Sequence, residues 1–288
     1  MIKTIGIVGL GLIGGSLAKA IKQKTDKRAL GFDRCEDVVL RAKAQGFIKD
    51  KLTAQNLKLC DLVLVALYPE DVIAYCKSNF GLMREGTIIC DCAGVKTRIC
   101  SELSEDAAKH GVSFVGGHPM AGAECWGFDN SFAGLFDGAT MILCEDPCTK
   151  RGAMEELKGV FPALGFAEVK VTTAAEHDEI IAYTSQLAHI LSSAYAKSDM
   201  IDRRLGFSAG SFKDLTRVAK LNEIMWTKLF FENRNNLSNE IALLIEQLEK
   251  YRVALESLDH EAMRTLLKDG AERKIRDEAA EKEKWKNR

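Results

Sequence analysis

Short apolar runs alternate with amphipathic stretches over roughly the first 170 residues. Residues 2–8 (IKTIGIV) predict a strand, and a glycine turn then leads into a helical pattern through Lys22. Residues 28–33 (RALGFD) predict a second strand, and 37–46 a helix that stops at Gly46. The run at 61–67 (DLVLVAL) is almost continuously apolar, as a strand covered by helices on both faces must be. Residues 70–80 read as helix. Residues 86–91 (GTIICD) and 112–115 (VSFV) read as strands with a helix between them. Residues 139–144 (ATMILC) and 167–172 (AEVKVT) complete the set. Strands alternating with helices predict an α/β fold, a doubly wound and mostly parallel sheet with helices on both faces.

Beyond Thr172 the texture changes. Residues 174–200 and 208–267 carry long helical periodicity with few strand signals, and Pro162 is the last proline. The reading is therefore two domains, 1–172 with the sheet and an all-helical 173–288. Residues 272–288 are dense in both signs of charge, the pattern of a solvated helix or a fraying tail.

Composition narrows the function classes. The chain is 47% hydrophobic and 28% charged with a formal net charge of −1, so nothing favours nucleic acid or an anionic membrane as partner. No apolar run reaches the roughly 18 residues of a membrane span. The apolar N-terminus carries glycines at motif spacing and no small-residue cleavage site, so it reads as structure and not as a signal peptide. Nine cysteines are scattered without a CxxC pair, which points to reduced thiols in a cytoplasmic protein and to no metal site.

The first glycine turn carries chemistry. Gly9, Gly11 and Gly14 form a GxGxxG motif around Leu10, Leu12 and Ile13, after a strand and at the start of a helix, with Asp33 at the end of the next strand. Gly9 permits the tight turn, Gly11 leaves room for a pyrophosphate, and Gly14 lets helix and strand approach closely. The helix start offers free N–H groups and the positive end of its dipole to phosphate. This predicts a Rossmann-type dinucleotide site. Asp33 would accept from the adenosine ribose hydroxyls and repel a 2′-phosphate, favouring NAD. Arg34 could instead pair with a 2′-phosphate, which leaves NADP open.

Two other places suit a substrate. The stretch from Gly116 to Glu124 (GGHPMAGAE) follows the 112–115 strand at the carboxyl edge of the sheet, where ligands bind in such folds. His118 there titrates near neutrality and suits a proton acceptor. In the helical half, Asp214 and Arg217 are three apart and so neighbours on one helix face, either a surface ion pair or part of a site. Asp178 and His189 are eleven apart and return to nearly one azimuth at about 100° per residue, with Gln186 in the same stripe. That stripe faces either water or a cleft between domains.

Together these segments resemble the prephenate/arogenate dehydrogenase family of tyrosine biosynthesis. The likeness runs over nearly the whole chain, on GLGLIGGS at 9–16, DCAGVK at 91–96, GGHPMAGAE at 116–124, EHDEIIAYTSQLAH at 176–189 and FKDLTRVAKLNEIMW at 212–226. The resemblance implies that His118 takes the proton of the substrate's ring hydroxyl and that Arg217 binds a substrate carboxylate. It makes His189 a second active-site histidine and Trp226 an active-site tryptophan. Glu124, Asp178 and Asp214 match an ionic network around the arginine. Implied too is oxidative decarboxylation of prephenate to 4-hydroxyphenylpyruvate with hydride transfer to NAD, in a homodimer built through the helical halves. The apolar stretches 224–231 and 241–248 suit such an interface or an ordinary core.

The chain departs from that pattern twice. Gly94 stands where many members have a serine that contacts the substrate hydroxyl and His118, and Gln186 where many have a histidine. Both leave prephenate against arogenate open; retention of His189 favours prephenate. No segment has the length of an appended regulatory domain, so feedback by tyrosine would act at the active site. Two rival readings stand beside this one. A β-hydroxyacid dehydrogenase would use a lysine as acid/base, with Lys96 the nearest candidate. A protein that binds NAD without chemistry would account for Gly94.

Overall fold

A computed structural model describes residues 1–123 and 125–286. They form two compact units, 1–234 and 235–288. The first holds one eight-stranded sheet: β1 (Thr4–Val8), β2 (Arg28–Phe32), β3 (Asp50–Lys51), β4 (Leu62–Val65), β5 (Ile88–Asp91), β6 (Ser113–Pro119), β7 (Thr140–Cys144) and β8 (Glu168–Thr172). Their spatial order is β3-β2-β1-β4-β5-β6-β7-β8. Every neighbouring pair is parallel except β6 and β7, so the doubly wound, mostly parallel sheet expected from the sequence is present.

Alternation along the strands divides the core into two layers, because successive side chains leave opposite faces. Ile5, Ile7, Leu62 and Leu64 meet α1 (Leu12–Lys24) through Leu17 and Ile21, and α5 (Arg151–Ala163) through Leu157 and Phe161. Val8, Val63, Val65 and Ile89 face the other way, onto Val72 and Cys76 of α3 (Pro69–Asn79) and Ile99 and Leu103 of α4 (Thr97–Lys109). α2 (Glu36–Ala44) follows β2, and Gly46 with φ +74° turns the chain after it. The chain winds outward from β1 to β3 and then crosses to β4 on the other side of β1. The carboxyl ends of β1 and β4 therefore border the crevice in which α1 begins.

Two expectations change here. The two-residue β3 carries too little pattern to be seen in sequence. β6 is longer than 112–115: it runs parallel to β5 through Val115 and antiparallel to β7 from Gly116 to Pro119, pairing His118 with Ile142. His118 therefore sits on a hydrogen-bonded strand, not on a loop.

The helical remainder of the first unit is α6 (Ala174–Ile181), a π-helical stretch at Ala182–Leu187, α7 (Ala188–Tyr195), α8 (Gly210–Thr216) and α9 (Glu223–Glu232). The second unit is a hairpin of α10 (Arg234–Glu256) and α11 (His260–Lys286). The turn between them, at 257–259, lies inside the 208–267 stretch of helical periodicity. Leu258 adopts φ +53° there, and Asp259 N–H closes back on the Ala254 carbonyl at 2.9 Å. Among the described residues no helix is long and apolar enough to cross a membrane.

Candidate active site

The glycine turn has the geometry a pyrophosphate needs. Gly9 has φ +85°, and a Cβ there would lie 2.4 Å from the Ala66 carbonyl oxygen. A Cβ on Gly14 would lie 1.8 Å from the Gly9 carbonyl oxygen, whereas one on Gly11 would meet nothing within 4 Å. Gly11 precedes α1 as its N-cap and brings no side-chain cap, so no side chain of that residue takes up the first N–H groups of the helix at the positive end of its dipole. Asp33 anchors the turn, accepting from Leu10 N–H at 2.8 Å and Cys35 N–H at 2.9 Å. Its carboxylate is half-buried at the edge of this crevice, and Arg34 beside it is exposed. The residues present fit a dinucleotide.

The second half of the site is a chain of side chains ending on His118. His118 Nδ1 lies 2.9 Å from His177 Nε2, and His177 Nδ1 lies 2.8 Å from Asp178 Oδ1. Asp178 also accepts the backbone N–H of Lys96 on Oδ1 and of Thr97 on Oδ2, each at 2.8 Å, and so caps the start of α4. Burial alone would raise its pKa. The hydrogen bonds from His177 and Thr97 outweigh that and hold the carboxyl below the usual carboxylate range.

An ionised Asp178 can only accept, so His177 Nδ1 carries a proton. For a neutral His177 ring the order then propagates. His177 Nε2 is an acceptor, His118 Nδ1 is its donor, and His118 Nε2 is left with a lone pair. That nitrogen faces Gly94, where a Cβ would lie 3.9 Å away, beside Leu229 of α9. The His118 pKa is pushed well below the ordinary imidazole value, first by loss of solvation and further by the Lys96 ammonium, with Asp178 opposing. The result is an oriented, unprotonated base at the carboxyl edge of the sheet.

The other residues singled out by sequence fall in several places. His189 is half-buried; its Nδ1 lies 2.8 Å from the Ser185 carbonyl and its ring stacks on Trp226 at 4.0 Å. Trp226, Leu229 and Phe230 share one face of α9, so this stack adjoins the Gly94 side of His118. Gln186 is buried and spent internally, donating to the Leu229 carbonyl at 3.1 Å and accepting from Asn233 at 2.8 Å. Asn233 also donates to the Asp178 carbonyl at 2.7 Å. Asp178 and His189 do not share the one face expected of them: the π-helical stretch between them carries extra residues per turn, so a count of 100° per residue fails across it. Asp214 lies on α8 and Arg217 at its end, both exposed. Glu124 lies outside the described residues.

Lys96 is not an acid/base within reach of a ligand. Its ammonium is fully buried and paired with Asp91, and that attraction overrides burial to raise its pKa. This removes the structural support for the β-hydroxyacid reading. His177 is the site residue that sequence reasoning passed over. Its one available signal was its place immediately before Asp178, in a helix that follows the strand at 167–172.

A doubly wound nucleotide domain, a phosphate-ready helix start and a neutral histidine base at the sheet edge define a dehydrogenase of the dinucleotide-dependent class. Sequence models of the family agree: the prephenate dehydrogenase nucleotide-binding domain matches residues 17–170, and the prephenate dehydrogenase dimerization domain matches 173–269. The chain belongs to the prephenate dehydrogenase family. It is 31% identical over 268 residues to a cyclohexadienyl dehydrogenase of Zymomonas mobilis, covering 89% of this chain and 90% of that one. It is 30% identical over 285 residues to a prephenate dehydrogenase of Lactococcus lactis, covering 95% and 77%. Among solved structures, prephenate dehydrogenase from A. aeolicus in complex with hydroxyphenyl propionate and NAD+ superposes with a TM-score of 0.81 at 24% identity, over 96% and 98% of the two chains. Arogenate dehydrogenase from Synechocystis gives 0.80 at 24%, over 94% and 99%.

Proposed function

We propose that this protein oxidises and decarboxylates prephenate to 4-hydroxyphenylpyruvate with NAD. Residues 1–172 would hold the dinucleotide, and 173–288 the substrate and a second copy of the chain. The observation that carries this is the run Asp178–His177–His118, which leaves His118 Nε2 as a lone pair beside Gly94. Bound along the start of α1, NAD supplies the acceptor for the hydride that leaves the hydroxyl-bearing ring carbon. His118 Nε2 takes the hydroxyl proton as the carbonyl forms. The ring carboxylate then leaves as CO₂ and the ring becomes aromatic, which makes the step strongly downhill. The protein's share is to orient, to accept one proton and to hold carboxylates. Arg217 suits a bidentate carboxylate grip, with Asp214 and Glu124 around it. Asp33 at the crevice edge supports NAD over NADP.

One observation favours arogenate as a second reading. His189 Nδ1 donates to the Ser185 carbonyl, so the ring, when neutral, offers a lone pair on Nε2, which an ammonium would satisfy and a keto group would not. A dimer is supported by the exposed Ile224, Phe231, Leu243, Ile245 and Leu248. The test is NADH absorbance with prephenate and arogenate in parallel, each with NAD and with NADP. Turnover of prephenate with NAD is expected. No turnover of either substrate would overturn the reading.

A further inference from the structure

The fully buried pair of Asp91 and Lys96 has no role in the steps above, yet each of its members bonds a group that holds His118. Asp91 ends β5. Its Oδ1 accepts the N–H of Gly117, the residue before His118, at 3.0 Å, and its Oδ2 accepts Ala93 N–H at 2.9 Å and the Lys96 ammonium. The glycines of β6 make this approach close. A Cβ on Gly117 would lie 2.4 Å from the Asp91 carbonyl oxygen, and one on Gly116 3.2 Å from Lys96 Cδ. Lys96 also gives its backbone N–H to Asp178, the far end of the histidine chain. One residue thus ties together the two anchors of His118: the strand backbone through Asp91 and Gly117, and the imidazole through Asp178 and His177.

A buried ion pair is no better for stability than a well-packed neutral pair of like volume, because both charges must be stripped of water. Its presence beneath the base calls for another reason. We infer that Asp91 and Lys96 form a positioning pair that fixes the height and direction of His118 and sets the electrostatic field in which its imidazole titrates. This rests on the dehydrogenase reading above. Neither residue touches substrate or cofactor; each acts through His118. The charged and titratable groups shown to act on His118 among the described residues are His177 and Asp178 from α6 and Lys96 from the start of α4, with Asp91 of β5 paired to Lys96. β7 and α9 present the apolar Ile142 and Leu229.

The test uses the full chain carrying D91N/K96M, which removes both charges together and avoids a lone buried carboxylate, with K96R as the conservative variant. His118 is followed by histidine NMR titration, assigned with H118N, and needs no substrate. Lys96 and not Asp91 is among the charges that shift His118, so removing the pair should move the His118 titration upward, by up to about one pH unit. The acid limb of kcat/KM should follow it, and kcat should fall about tenfold with KM for both substrates nearly unchanged. K96R should restore most of both. A folded double variant with an unmoved His118 titration and unaltered kcat overturns the inference. So does a double variant that cannot fold, since the pair would then be needed for structure. If the wild type turns over no substrate while the titration still shifts, the dehydrogenase reading fails and the electrostatic part of this one stands.

Discussion

Asp178→Asn tests the proton order on which His118 depends. The carboxylate receives three donors: His177 Nδ1–H and the backbone N–H of Lys96 and Thr97, each at 2.8 Å. An amide keeps one oxygen and replaces the other with a donor. If that oxygen stays on the His177 side, the new NH₂ opposes Thr97 N–H. A buried donor then goes unsatisfied, at about 1–3 kcal/mol. If the amide flips, NH₂ opposes Lys96 N–H, which shares that position, and faces His177 Nδ1, which must become an acceptor. His177 Nε2–H then donates to His118 Nδ1, and His118 Nε2 carries a proton where it needs a lone pair. A bias of about 1.4–2.8 kcal/mol toward this flipped state would lower turnover about 10- to 100-fold, and either state lowers stability by leaving one N–H of the α4 cap unsatisfied. The melting temperature should fall by a few degrees at most. Steady-state NADH formation, with KM and kcat measured separately beside a thermal melt, reads both. A variant with kcat within threefold of wild type and only a lowered melting temperature would refute the proton order and reduce Asp178 to a cap of α4.

Three more outcomes follow from the same geometry. Gly14→Ala drives a Cβ to 1.8 Å from the Gly9 carbonyl oxygen, so NAD affinity measured by titration should weaken at least about tenfold; an unaltered affinity would mean that the turn does not hold the dinucleotide. Gly94→Ser has room, with Leu229 at 3.6 Å and His118 Nε2 at 3.9 Å. Stability should stay within about 0.5 kcal/mol, and the substrate KM should fall two- to about tenfold by one added hydrogen bond; a large loss of melting temperature would show that the space is not there. His118 has its pKa lowered on folding, chiefly by burial, so the unfolded chain binds the extra proton as pH drops. Stability should therefore decline from about pH 6.5 downward, by at most about 1.4 kcal/mol per unit from this one group, and His118→Asn should flatten that slope in denaturant melts across pH.

Sequence carried the sheet well because buried parallel strands write continuous apolar runs such as 61–67, and because GxGxxG demands glycine for reasons that hold locally. It carried His118 by residue type and by its place after a strand. What it could not carry are relations set by packing between distant segments. The strand 112–115 extends to Pro119 only because β7 pairs against it, and no local propensity in a Gly-Gly-His-Pro stretch announces that partner. Gln186 reads as a polar residue facing a ligand, but Leu229 and Asn233, more than 40 residues along the chain, use both ends of its amide.

His177 shows the deeper reason. Helical periodicity pairs Asp178 with His189 on one face and leaves His177 to the other. The π-helical turn breaks that count, and tertiary burial decides the rest. Asp178 is drawn in to satisfy the first N–H groups of α4, which burial would otherwise leave unpaired. Once it is there, its neighbour along the helix must stand against the end of β6. The base is thus oriented as a consequence of a helix cap: the need to satisfy α4 fixes Asp178, Asp178 fixes the proton on His177, and His177 fixes the lone pair on His118. Each link is ordinary hydrogen-bond chemistry, and only the fold brings the links into one line.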